Sequence, residues 1–285
     1  MTTLNRRTLF TAGAGLAGLG VLAACSSGVE TAAGDGSADA DGVTTLVVGA
    51  SPVPHAVILE FVRDNLAEDA KLNLEIREYT DYILPNKDLA SKDLNANFFQ
   101  TVPYLETEIK ENDYAFTPGK GVHVEPLGLY SEQVGSVAEI PDGAEIAIPN
   151  DPTNRGRGLA LLADAGLITL ADGAGATGAS VDQVAENPKN LTFTELEGAM
   201  IPRSLSDFAA AVINGNYALE AGLSPAEDAI HIEPGEGNPN ANLLVWRTED
   251  DGNAALAKLE ELLHTDEVRE FIKTTYSNGS VIPAF

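Results

Sequence analysis

Cysteine occurs once in this chain of 285 residues, tryptophan once and histidine four times. One cysteine excludes an intramolecular disulfide, so the fold must be held by its core alone. The histidines, His55, His123, His231 and His264, show no ligand spacing such as H-x-x-x-H and none pairs with a cysteine, which argues against a metal receptor. No G-x-S-x-G elbow occurs, and no thiol nucleophile remains once the one cysteine is otherwise used. Basic residues are also few: 17 Lys and Arg stand against 43 Asp and Glu, for a formal net charge of −26. So acidic a surface repels nucleic acid phosphates and anionic lipid headgroups, and it reads as a solubility or salt-tolerance feature without specificity. Long apolar runs are missing as well. Thr8 to Ala24 falls short of the roughly 20 residues a bilayer requires and is broken by Gly13, Gly15, Gly18 and Gly20.

The single cysteine is informative by its place. Cys25 follows Leu22-Ala23-Ala24 and precedes Ser26-Ser27, behind a basic start at Arg6 and Arg7 and a short apolar stretch. This is the form of a signal peptide over 1–24. Its Leu-Ala-Ala-Cys ending resembles the bacterial lipobox, in which the cysteine is acylated and becomes residue one. Asn5-Arg6-Arg7-Thr8-Leu9-Phe10 resembles a twin-arginine signal, and an ordinary basic leader is the other reading. Acyl chains on Cys25, palmitate among them, would hold a soluble domain outside the cytoplasm at the cell membrane. Residues 25–43, rich in Gly, Ala, Ser and Asp, read as a flexible linker.

Beyond the linker the chain is long enough for about two domains at ~100–200 residues each. Thr44 to Gly49 reads as a buried strand, His55 to Leu66 as a helix and Leu72 to Arg77 as an alternating strand. A helix around Leu84 to Leu94 and a strand near Asn97 to Phe99 follow. The pattern restarts with a strand at Glu145 to Ile148, a loop, a helix over Gly158 to Leu167, and strands at Leu191 to Thr194, Ala210 to Ile213 and Leu243 to Trp246. The last 35 residues read as helices. Such alternation predicts α/β lobes with parallel strands. Gly- and Pro-rich joints at Thr117 to Gly121 and Glu233 to Pro239 predict two crossings, with lobe 1 formed by 44–122 and 230–285 and lobe 2 by 123–229. A cleft between the lobes is the expected ligand site.

Two matches to G-x-G-x-x-G occur. One lies in the leader, and the other, Gly173 to Gly178, follows the end of a helix and reads as a surface loop. Asn150 to Arg157 is more promising. It lies between a strand end and a helix, where N–H groups and a guanidinium can converge on a carboxylate. Thr153 or Asn154 is the expected cap of that helix. Aromatic residues form 6% of the chain, yet Tyr79, Tyr82, Phe98, Phe99 and Tyr104 cluster among Thr80, Asp81, Asn97 and Gln100. Such faces suit apolar or sulfur-bearing groups.

These segments together resemble one family, the methionine-binding lipoproteins of ABC importers (the MetQ/NlpA type). The resemblance covers nearly all of 44–285. It is carried by Val48 to His55, Tyr79 to Tyr82 with Leu84-Pro85-Asn86, Asn95 to Gln100, Val102 to Leu105, Pro149 to Asn154, Glu186 to Asn190 and Ala211 to Asn214. It implies a two-lobed periplasmic-binding-protein fold that closes on an amino acid, with no cofactor and no catalysis. The partners it implies are methionine or a related amino acid and an ABC permease with its ATPase; a monomer is expected. Matched to the family pattern, Arg157 would pair with the ligand carboxylate. Asn214 and Asn242 would bond its amino and carboxylate groups, and Tyr82 and Phe99 would line the thioether pocket. Arg155 falls where the pattern varies. Thr101 departs from it, standing where a histidine often follows Phe-Gln. A methionine-containing dipeptide or another neutral amino acid is therefore the alternative ligand, and a surface interaction protein that has lost transport is the alternative function.

Overall fold

The computed structural model describes residues 38–175 and 177–285. The leader 1–24, Cys25 and the linker as far as residue 37 lie outside the described residues. The linker's last residues turn onto the first strand: Ala38 bridges Thr44, and the N–H groups of Asp41 and Val43 donate to Asp39 Oδ1.

The chain first lays down β1 (Thr44–Ala50), α1 (Val57–Asn65), β2 (Leu72–Glu78), α2 (Leu84–Ala90), β3 (Ala96–Thr101), α3 (Val102–Asn112) and β4 (Phe116–Val124). It crosses to a second sheet and forms β5 (Gly128–Tyr130), β6 (Glu145–Pro149), α4 (Pro152–Asp164), β7 (Thr169–Leu170), β8 (Val184–Glu186), β9 (Thr192–Leu196), β10 (Ala210–Ile213), α5 (Gly215–Glu220), α6 (Pro225–Asp228) and β11 (Ala229–Ile232). It then returns as β12 (Ala241–Arg247), α7 (Ala254–Leu263), α8 (Asp266–Thr275) and β13 (Ile282–Pro283). One sheet has the order β13-β4-β12-β3-β1-β2, the other β11-β5-β10-β6-β9, and β7 pairs with β8 apart from both. The result is a two-lobed α/β molecule crossed twice by the chain.

Burial explains the sequence patterns. β1 lies between β2 and β3, parallel to both, and its Leu46 to Ala50 is buried throughout, so it reads as an unbroken apolar run. β2 is an edge strand, and its alternation follows from one covered face. α1, α7 and α8 close over this sheet through Ile58, Leu59, Val62, Leu256, Leu259, Val268 and Ile272. The second sheet has its own core around Ile146, Ile148, Leu159, Leu162, Ala210 and Val212.

Three local expectations change. Thr117 to Gly121 is no joint but lies within β4, whose pairing with β12 is bulged there. Gly121 is required by close approach, since a Cβ at that position would sit 2.8 Å from the Ala241 Cβ. The first crossing falls just beyond, at Glu125 to Leu127, and the second does fall in the Glu233 to Pro239 stretch. The expected helix at His55 begins instead at Val57, after a tight turn that buries His55. The helix of the Asn150 segment starts early, at Pro152, and its cap is Asp151 rather than Thr153 or Asn154. The Asp151 carboxylate accepts from the Asn154 N–H at 2.8 Å, and Pro152 supplies a preset φ at the first helical position.

Candidate ligand site

Strand ends and crossings converge on one pocket. β3 and the start of α3 contribute Phe99, Gln100, Thr101 and Tyr104; Tyr82 precedes α2; Glu125 comes from the first crossing and Asn242 from β12. From the other lobe come Asn154 and Arg157 of α4, Asn214 after β10, and Gly215 and Asn216 of α5. The space between their atoms is about 370 Å³, counting the open solvent at its mouth. All five residues matched to the family pattern (Tyr82, Phe99, Arg157, Asn214 and Asn242) line this one pocket.

Period-two alternation in β3 sorts its side chains. Phe98 points into the core, fully buried, with ring centroids 4.9 Å from His55 and 5.3 Å from His123. Phe99 faces the pocket beside Tyr82 and Tyr104, at 5.9 and 6.0 Å. Tyr217 stacks on Tyr82 at 4.9 Å from the opposite lobe, so the aromatic wall is shared between lobes. The Tyr82 hydroxyl donates to Asn216 Oδ1 at 2.5 Å, and Thr107 and Thr153 hydroxyls meet at 2.9 Å. Both contacts join the lobes. Asn97 and Gln100 are buried and form an amide network with Asn86 that fastens α2 to β3, while Gln100 also borders the pocket.

The charged end is prepaired. Arg157 is buried and donates from Nε and Nη2 to the Glu233 carboxylate at 2.9 and 2.5 Å, and from Nη2 to the Glu125 carbonyl at 3.0 Å. Its Nη1 makes no hydrogen bond among the described residues. Burial alone would raise the Glu233 carboxyl. The Arg157 hydrogen bonds and charge, with Asn238 and the Leu127 N–H, instead carry it below the usual carboxylate range. The other arginine of the segment, Arg155, is elsewhere, bonded to Glu195 at 2.9 Å and to the Ala179 carbonyl.

Spacing along the chain gave no sign of what surrounds Glu125. Its Oε1 lies 2.7 Å from His123 Nε2 and 3.2 Å from His55 Nε2, and all three residues are buried. His55 Nε2 is also 3.0 Å from Asn242 Oδ1. Burial lowers His55 to about 4 and His123 to about 3, so both rings are neutral at ordinary pH. Burial pushes the Glu125 carboxyl up, opposed by His55, Arg157 and the Asn216 N–H. The three offer one ligand atom each within 4.8 Å, a spacing that a metal ion could use. Against that, neither Nδ1 has a hydrogen-bond partner, whereas a metal-bound histidine ordinarily donates its second N–H. The trio is arranged as hydrogen bonds to a carboxylate.

Two pocket residues carry unmet polar atoms. Asn214 donates to Asn154 Oδ1 at 2.9 Å, but its own Oδ1 is buried without a partner; Asn216 accepts from Tyr82, and its Nδ2 is buried without one. A buried orphan acceptor and a buried orphan donor beside a guanidinium and a carboxylate suit a zwitterion. The Gly173 to Gly178 loop takes no part: its described residues are largely exposed and no helix begins at its last glycine.

The NlpA lipoprotein family model matches residues 46–285. The methionine-binding lipoprotein MetQ of Bacillus subtilis is 37% identical over 93% of this chain and 97% of its own. Among solved structures, a nutrient binding protein of Burkholderia cenocepacia bound to methionine is 40% identical, with a TM-score of 0.81, over 84% of this chain and 100% of that one. A periplasmic substrate-binding protein of an ABC transporter from Coxiella burnetii is 35% identical, with a TM-score of 0.79, over 84% and 100%.

Proposed function

The chain belongs to the NlpA lipoprotein family, and we propose that it is a substrate-binding lipoprotein that captures methionine outside the membrane and delivers it to an ABC permease and its ATPase. The observation that carries the ligand class is the paired orphans, Asn214 Oδ1 and Asn216 Nδ2, in one pocket with Arg157 and Glu125. The methionine-bound relative of 40% identity supports the choice of amino acid.

In this reading the α-carboxylate meets Arg157 Nη1, with Asn242 and Asn216 as further donors. The ammonium meets Glu125 and Asn214 Oδ1. Arg157 is already balanced by Glu233, so an ionised Glu125 leaves one negative charge in excess, and that charge draws the ammonium. The thioether lies against Tyr82, Phe99 and Tyr104, with Tyr217 stacked on Tyr82 from the other lobe, and sulfur–aromatic contacts contribute roughly 0.3–1.5 kcal/mol each. The lobe bounds differ from the expected 123–229 and 230–285, because β4 keeps residues to 124 in the first sheet and β11 keeps residues to 232 in the second; closure would bring 128–232 onto 44–124 with 241–285. Cys25, acylated, would tether the monomer to the membrane.

Calorimetry on protein stripped of retained ligand tests this. Saturable one-to-one binding of L- or D-methionine, with a raised melting temperature, is expected. No binding of either isomer, with tight binding of a methionine-containing dipeptide or another neutral amino acid, would move the ligand to that alternative. Methionine recovered unchanged after long incubation separates a receptor from an enzyme. Retention of the Cys25→Ala protein at the membrane would remove the anchor.

A further inference from the structure

The two buried histidines have no role in the reading above. His123 projects from β4 and His55 from the turn after β1, and their rings meet edge to face at 4.8 Å with Phe98 packed against both. Each presents Nε2 to Glu125 Oε1 and leaves Nδ1 buried without a hydrogen-bond partner. A neutral imidazole has one N–H and one lone pair. Were the proton on Nδ1, a donor would be buried without an acceptor and the Nε2 lone pair would face a carboxylate oxygen, two penalties at once. With the proton on Nε2, the carboxylate gains a donor and only a lone pair is left unpaired.

We propose that His55 and His123 are positioning residues of the ligand site: as neutral Nε2–H imidazoles both donate to Glu125 Oε1, holding that carboxylate ionised for the ligand's ammonium group. The proposal rests on the reading of the pocket as an α-amino acid site. His55 has a second task. Its N–H is shared with Asn242 Oδ1 at 3.0 Å, which fixes the Asn242 amide and leaves Nδ2 as the donor for the ligand. The remaining groups around Glu125 fit the same role. The Asn216 N–H of α5 donates to it, and Gly215 permits the approach, since a Cβ there would stand 2.7 Å from the Glu125 Cβ. Arg157 on α4 adds a favourable charge, already shared with Glu233. Glu220 on α5, Tyr82 before α2 and Tyr276 after α8 also feel the Glu125 charge.

As pH falls, Glu125 takes up a proton, the ammonium loses its counter-charge and affinity drops. With one imidazole donor removed, that protonation comes at higher pH. The test is calorimetry from pH 5 to 8 with methionine and with 4-(methylthio)butanoate, which keeps the carboxylate and thioether and lacks the ammonium. His123→Leu should weaken methionine roughly tenfold to a hundredfold, as for a lost hydrogen bond to a charged group. It should leave the desamino analogue within about twofold and move the acid limb upward. His123→Gln, whose amide N–H can replace Nε2–H, should restore most of the affinity. Equal weakening of both compounds with an unmoved pH profile would make the histidines structural and overturn the proposal while leaving the amino acid reading intact. If the native chain binds no amino acid, both fall. Should His123→Leu not fold, 15N spectra of the native protein decide: neutral Nε2–H tautomers at pH 6.5 support the proposal, and Nδ1–H or imidazolium forms overturn it.

Discussion

The two ends of the pocket are built on opposite plans. At the polar end, Arg157, Glu233, Glu125, His55 and His123 are already bonded to one another. At the aromatic end, Tyr82, Phe99 and Tyr104 meet mainly by ring faces and edges at 5.7–6.0 Å, with one hydrogen bond from the Tyr104 hydroxyl to the Tyr82 carbonyl, and Tyr217 stacks on Tyr82 at 4.9 Å from the other lobe. The difference teaches a division of labour. Prepaired charges lose little freedom when a ligand arrives, so they fix where its backbone groups go. A wall of rings shared between lobes is complete only when the lobes meet, so it senses the side chain at closure.

The largest test is to break the polar end. Arg157→Ala removes the partner of a carboxylate that is about 17% exposed, and loss of one member of a buried pair costs about 3 kcal/mol or more. Methionine binding should be abolished and the melting temperature should fall. Combining Arg157→Ala with Glu233→Ala sharpens the result: stability should return in large part, measured by urea unfolding, while binding stays absent. If binding returned with stability, Arg157 would be a fold residue only.

Acid stability tests the same end without touching the ligand. His55 and His123 are lowered in the folded state, to about 4 and about 3, from an unfolded value of 6.5. The unfolded chain therefore binds more protons below pH 6.5. Their contribution is complete above that pH and is lost as pH falls toward 4, by up to about 1.4 kcal/mol per pH unit for each ring. The raised Glu125 carboxyl works in the opposite sense, favouring the folded state as pH falls. Urea unfolding at pH 7 and pH 5 should show a net loss on acidification, and His123→Gln should flatten it.

Next come the amides and the rings. Asn214→Ala should weaken methionine by about tenfold, the scale of one hydrogen bond to a charged group. Tyr217→Leu should do less, about twofold to tenfold, and should reduce discrimination between methionine and norleucine, which keeps the shape and lacks the sulfur. Equal losses for both compounds would show that the wall supplies area without reading the sulfur. Competition calorimetry measures each ratio.

Most of the fold was legible because its strands are buried on both sides or alternate cleanly, as β1 and β2 do. β4 was not, because Pro118, Gly119 and Gly121 mimic a joint; only the pairing with β12 shows why small and donor-free residues sit there. Arg157, Asn214, Asn242, Tyr82 and Phe99 were picked out through the family pattern, and all line one pocket. The trio of Glu125, His55 and His123 was not, because His55 and His123 are far apart in sequence and meet only through the packing of β4 beside the turn after β1. Tyr217 was missed for a related reason: it joins the aromatic cluster from the other lobe.

The smallest effect is expected from the residue nearest in sequence to the largest. Arg155 precedes Arg157 by two positions on α4, and a two-residue step turns a helix by more than half a revolution. One guanidinium therefore enters the cleft while the other reaches Glu195 on β9 and the Ala179 carbonyl. The Arg155–Glu195 pair is partly open to solvent, at 19% and 35% exposure, so it contributes on the order of 0–1 kcal/mol. Arg155→Ala should leave methionine affinity within twofold and lower stability by no more than that amount. A large loss of affinity would mean that the helix N-terminus acts as one anion site, with both arginines sharing the carboxylate, and that the polar end is wider than the Arg157–Glu233 fork.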